Sequence, residues 1–64
     1  MNMPKIIVKL YVKNNKKPIS IMELDNEDLL DELLNKLNDS NKFIRYYQLI
    51  LNREEFERAE IIYK

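Results

Sequence analysis

Between residues 5 and 13 apolar and polar side chains alternate, which predicts a half-buried β-strand. Ile6, Val8, Leu10 and Val12 fall on one side, with Lys5, Ile7, Lys9, Tyr11 and Lys13 on the other. Asn14-Asn15 follows. The chain contains no glycine, and asparagine is the residue that best replaces it where a turn needs positive φ. Residues 18–24 read as the returning strand, with Pro18 at its start, where a missing N–H is tolerated. A two-residue loop sets Leu10 opposite Ile19, and a four-residue loop sets Val12 opposite Ile19. Both registers gather Ile6, Val8, Leu10, Val12, Ile19 and Ile21 on one face and leave Ile7, Tyr11, Met22 and Leu24 on the other.

Residues 25–40 carry leucines at 29, 30, 33, 34 and 37, one continuous stripe on a 3.6-residue helix. Asp25 is the expected N-cap, and Asp28 approximates the acid of a capping box. Residues 42–52 are rich in aromatic and branched side chains and read as a third strand. Phe43, Tyr47, Leu49 and Leu51 would line one of its faces, and Ile44, Tyr46 and Ile50 the other.

The last segment, residues 53–64, admits two readings. Phe56, Ala59 and Ile62-Tyr63 fit a helix. A turn followed by a strand lying beside the third strand fits the short connection and the branched ending better. The expected architecture is a single α+β domain over residues 1–64, a small antiparallel sheet with one amphipathic helix on one face, in the order ββαββ. The alternative is ββαβα, with a C-terminal helix.

Sixty-four residues is near the lower limit for a chain that folds on packing alone. With neither cysteine nor histidine, no disulfide or Cys/His metal site can reinforce the core. No basic, then apolar leader opens the chain, and no apolar run approaches a membrane span. A cytoplasmic location and no membrane partner are expected. Asn, Lys and Ile occur eight times each; their A/T-rich codons suggest a bacterial or viral genome of that bias.

Catalysis is disfavoured on the same evidence. Histidine, the usual acid–base group at neutral pH, is missing. A nucleophile would have to be Ser20 or Ser40, and no glycine loop can cradle phosphate. The expectation is a non-enzymatic protein with no metal site and no cofactor.

Net charge is zero, but it is unevenly spread. Residues 1–20 carry five lysines and no acid, whereas residues 21–39 carry seven acids against Lys36. Lys5, Lys9, Lys13, Lys16 and Lys17, with Tyr11 among them, could track a nucleic-acid backbone on the first hairpin. The acids of the helix could instead mimic phosphates and inhibit a nucleic-acid-binding protein. Zero net charge argues against strong counterion release and hence against the first of these.

The apolar surface that one helix cannot cover carries the preferred reading. Ile7, Tyr11, Met22, Tyr46 and Tyr47 are the candidate protein-binding residues, since uncovered aromatic surface commonly marks an interface. The protein is expected to be a binding or regulatory module that also self-associates, most simply as a two-fold dimer.

Overall fold

The computed structural model describes residues 5–64. The elements run β1 (Ile6–Val12), β2 (Ser20–Leu24), α1 (Glu27–Asn38), β3 (Phe43–Tyr46), β4 (Leu49–Asn52) and β5 (Phe56–Tyr63). This is the expected α+β class with one helix, extended to ββαβββ because the third strand is two strands. Tyr47-Gln48 breaks it into a tight hairpin in which Tyr46 pairs with Leu49 and Ile44 with Leu51. Crossing two loop residues reverses the relation between residue parity and sheet face. Ile44, Tyr46 and Leu51 therefore share the buried side, while Phe43 and Ile50 are exposed.

The C-terminal segment is a strand, but its neighbour is not the third strand. It pairs antiparallel with β1, so the main sheet has the order β2-β1-β5, and β3-β4 forms a separate two-stranded sheet. The first strand is thus central. That explains why both of its faces are buried, with Ile6, Ile7, Val8, Leu10 and Tyr11 all in the protected set.

The register of β2 also differs from both expected loops. Ile6 pairs with Leu24, Val8 with Met22 and Leu10 with Ser20. The connection has odd length, with Asn14 supplying the positive φ, at 65°. An odd shift exchanges the faces of a strand. Leu24 and Met22 therefore pack with the core, while Ile21 is 60% exposed and Ile19 is exposed as well.

The helix begins at Asn26 rather than Asp25. The Asn26 side chain accepts a 2.9 Å hydrogen bond from the Leu29 N–H, which satisfies one of the free donors of the first turn. Leu29 itself stands where a capping box needs an acid, so no capping box forms. Leu30, Leu33 and Leu37 are buried, with Leu29 and Leu34 on the flanks of the stripe. They meet Ile6, Val8, Leu10 and Leu24 of the main sheet and Ile44, Tyr46 and Leu51 of the small one.

Near the far end of β5 the ladder slips between Tyr11 and Val12, so that Tyr11 faces Arg58 and Val12 faces Phe56. The extra residue, Glu57, reverses the side-chain alternation. Phe56 is thereby turned inward and packs against the core beside Val12.

Candidate interaction site

The five candidate binding residues are divided between two surfaces. Ile7 and Tyr11 lie on the sheet face away from the helix, and both are buried by neighbours on that face. The Arg58 guanidinium stacks 3.8 Å from the centroid of the Tyr11 ring, leaving the tyrosine 8% exposed. Met22, Tyr46 and Tyr47 come together on the helix side instead. One continuous self-association surface built from all five is therefore not formed. Ile21, with its neighbour Ile19, is the exposed apolar residue of the open face, and sequence reading had assigned both to the core.

The lysines of the first hairpin are interleaved with acids. Lys5 Nζ lies 3.5 Å from Glu23 Oε2, and Lys9 faces Glu60 across the β1–β5 ladder. Lys13, Lys16 and Lys17 are exposed near the loop. Tyr11, the residue expected to stack a base among them, is held under Arg58. Among the described residues, no three acids converge to form a cation site, and no helix is long and apolar enough to cross a membrane.

Met22, Tyr46 and Tyr47 border an apolar groove of about 250 Å³. One wall is β2, from Ser20 to Leu24; the other is the β3–β4 turn, from Tyr46 to Leu49. Tyr46 is buried at its base, and its hydroxyl donates to the Leu29 carbonyl at 3.5 Å. Its pKa is raised above the ordinary tyrosine value, first by burial, then by the neighbouring Tyr47 and Glu32.

No protein family, curated protein or solved structure matches the chain. The site must be read from its own geometry.

Tyr47 is the unusual member. It opens the two-residue β3–β4 turn with φ at 53°, a left-handed conformation that crowds the Cβ of any residue except glycine. Two-residue hairpin turns favour Gly, Asn or Asp at such positions. Yet Tyr47 is 81% exposed, with its ring edge-on to Tyr46 at a centroid distance of 4.7 Å. Sequence reading had placed Tyr47 mid-strand, because aromatic residues favour strands and no turn residue marks the spot.

A larger depression, of about 390 Å³, lies at the end of α1 between Lys36, Asp39, Lys42 and Arg45. Its walls are solvated and charged, and Asp39 is already held by Arg53 at 2.7 Å. The groove has the drier lining, and two of its residues had already been singled out for their aromatic exposure.

Proposed function

We propose that the protein is a non-enzymatic binding module that grips a segment of another protein in the groove between β2 and the β3–β4 turn. The observation that carries this reading is Tyr47. A bulky aromatic side chain held in a left-handed turn position, with most of its surface in water, adds little to the core. Backbone strain of this kind costs about 1–2 kcal/mol, and a mobile glycine or asparagine would avoid much of it. Such outliers cluster at ligand-contacting positions. Tyrosine is enriched at interfaces because one rigid side chain offers apolar area and a hydroxyl together.

Selection of a random-peptide phage library on the immobilised protein tests the reading. Enriched peptides should shift the backbone amides of Ser20–Leu24 and of residues 46–49 in two-dimensional NMR spectra. They should also bind the Tyr47→Gly variant more weakly, although that variant keeps the turn. Peptides that perturb only the opposite sheet face, or that bind Tyr47→Gly equally well, would remove the groove from consideration.

A further inference from the structure

Among the described residues, β5 has the longest open strand edge, with eight residues against five in β2. The Lys64 N–H donates to the Lys5 carbonyl at 2.9 Å. This bond continues the register in which Ile7 faces Ile62 and Lys9 faces Glu60. Successive residues of an antiparallel strand direct their backbone groups to opposite neighbours. Glu60, Ile62 and Lys64 therefore bond to β1. The N–H and C=O groups of Ile61 and Tyr63 point outward along the open edge.

Side chains on this edge alternate between faces as well. Ile61 and Tyr63 share the helix side with their ladder partners Val8 and Ile6, yet Ile61 is 36% exposed and Tyr63 60%. Glu60, Ile62 and Lys64 lie on the opposite face, in line with Lys9, Ile7 and Lys5. The Arg58–Glu60 contact, at 3.4 Å, is largely exposed and neutralises Glu60 only weakly. Lys64 stands beside a like charge, Lys5.

A second copy of the chain fits this edge. A two-fold axis at Ile62 sets Ile61 opposite Tyr63 of the partner, and Tyr63 opposite the partner's Ile61. Outward backbone groups then meet outward groups, in two doubly bonded pairs. On the helix side each pair joins an aliphatic to an aromatic side chain, and on the other face Ile62 meets its own copy. Glu60 stands directly opposite the partner's Lys64, and Lys64 opposite the partner's Glu60.

The adjacent registers lack this match. An axis at Ile61 opposes Arg58 to Lys64, and an axis at Glu60 opposes two glutamates; like charges directly opposite destabilise a ladder. Nor is the β2 edge equivalent, since an axis at Met22 sets Ile21 against Glu23 with no base opposite either.

We infer that the protein forms a two-fold dimer through residues 60–64, joining two three-stranded sheets into one of six strands with both helices on one face. Ile61, Ile62 and Tyr63 supply the apolar contact, and the Glu60–Lys64 pairs fix the register. A ladder of five residues buries less than a standard interface of about 1,600 Å², so the dimer forms at high micromolar rather than nanomolar concentration. The contact replaces the expected sheet-face dimer, whose Ile7 and Tyr11 are already covered. It lies on the opposite edge of the sheet from the groove, so it stands or falls apart from the peptide-binding reading.

Sedimentation velocity of the full chain, from low micromolar to low millimolar concentration, tests it. A shift from monomer to dimer is expected. Hydrogen exchange should slow with concentration at Ile61 and Tyr63 but not at Ile62, whose amide is already paired with β1. Glu60→Lys and Lys64→Glu should each weaken the dimer roughly tenfold, because two attractive pairs become repulsive. The double variant Glu60→Lys/Lys64→Glu should restore it to within about threefold of the parent. Thermal melts establish that each variant is folded, and Tyr47→Gly should dimerise like the parent.

A chain that stays monomeric throughout overturns the inference. A dimer that Lys64→Glu strengthens, or that the double variant leaves weak, overturns the register. Dimerisation lost in Tyr47→Gly would place the contact at the groove instead of at β5.

Discussion

Arg53 donates from Nη2 to the Asp39 carboxylate at 2.7 Å, joining the turn before β5 to the end of α1. The same guanidinium donates to the carbonyls of Lys36 at 2.8 Å, Asn41 at 2.6 Å and Leu37. The last carbonyls of a helix have no partner within it, so one side chain from a distant turn completes this terminus. The planar fork of arginine suits the arrangement, and a lysine has no equivalent set of donors. Arg53→Lys should lower stability by about 1–3 kcal/mol, because partly buried acceptors lose their donor. Arg53→Ala should cost at least as much. Asp39→Asn should cost less, since the carbonyl contacts remain. Urea unfolding of the three variants checks the order.

Leu33 is fully buried and Leu34 lies at the margin of the core. Leu33→Ala should therefore destabilise by about 2–5 kcal/mol, through lost transfer energy and the cavity left behind. Leu34→Ala should cost clearly less, and Glu32→Ala on the exposed side should stay within about 0.5 kcal/mol of the parent. Thermal melts that rank Leu34→Ala below Leu33→Ala would contradict the orientation of α1.

The register of β2 has a direct test in two adjacent residues. Ile21 is exposed, whereas Met22 packs against the core. Ile21→Lys should be nearly neutral, and Met22→Lys should destabilise by more than about 1 kcal/mol through burial of a charge or loss of packing. The face assignment expected from sequence alone predicts the reverse order, so circular-dichroism melts of the two variants separate the registers.

At Tyr47 stability and binding should move in opposite directions. Tyr47→Gly relieves the left-handed backbone but loosens the unfolded chain and loses the contact with Tyr46. Its net effect should lie between no change and a gain of about 1 kcal/mol. A loss well beyond that range would mean that Tyr47 supports the fold rather than a partner.

Tyr46 confers an alkaline limit. Its pKa in the folded protein is raised above the ordinary value of 10.0, chiefly by burial. The folded state thus holds the phenol proton more tightly than the unfolded state does. The corresponding stability is fully present below about pH 10 and is lost as pH rises through the folded pKa. Tyr46→Phe should flatten this part of the stability curve between roughly pH 9 and 12. Chemical denaturation of the parent and the variant at several pH values reads the effect.

Element type was legible wherever periodicity was strong. The five-leucine stripe, the alternation through β1 and the branched ending of β5 each marked the right kind of element. Pairing was less legible, because local pattern does not say which strands become neighbours. The burial of apolar residues on both faces of β1 follows from its central position, and the alternation of Lys5, Lys9 and Lys13 made it resemble a strand with one wet face. The β2 register was not legible because loops of two and four residues give the same face assignment, whereas the loop formed has an odd count. The groove was half visible. Met22, Tyr46 and Tyr47 were singled out as aromatic or apolar surplus, but no residue at 47 or 48 announced the turn that joins them. Ile7 and Tyr11 drew the same attention and proved to be covered by their own neighbours, with Arg58 over Tyr11.

The pairing of β1 with β5 also sets a timetable for folding. The first strand of the chain is the middle strand of the sheet, and one of its two ladders is completed only by residues more than fifty positions later. A nascent chain leaving the ribosome can form the β1–β2 hairpin and α1 early, since those contacts are local. It must wait for Ile61, Ile62 and Tyr63 before the other edge of β1 is closed. Until then an apolar strand has unpaired backbone along one side, the condition most prone to pairing with another chain. A premature stop within β5 would prolong that interval indefinitely, so the shortened product should aggregate or be degraded rather than persist as a smaller fold.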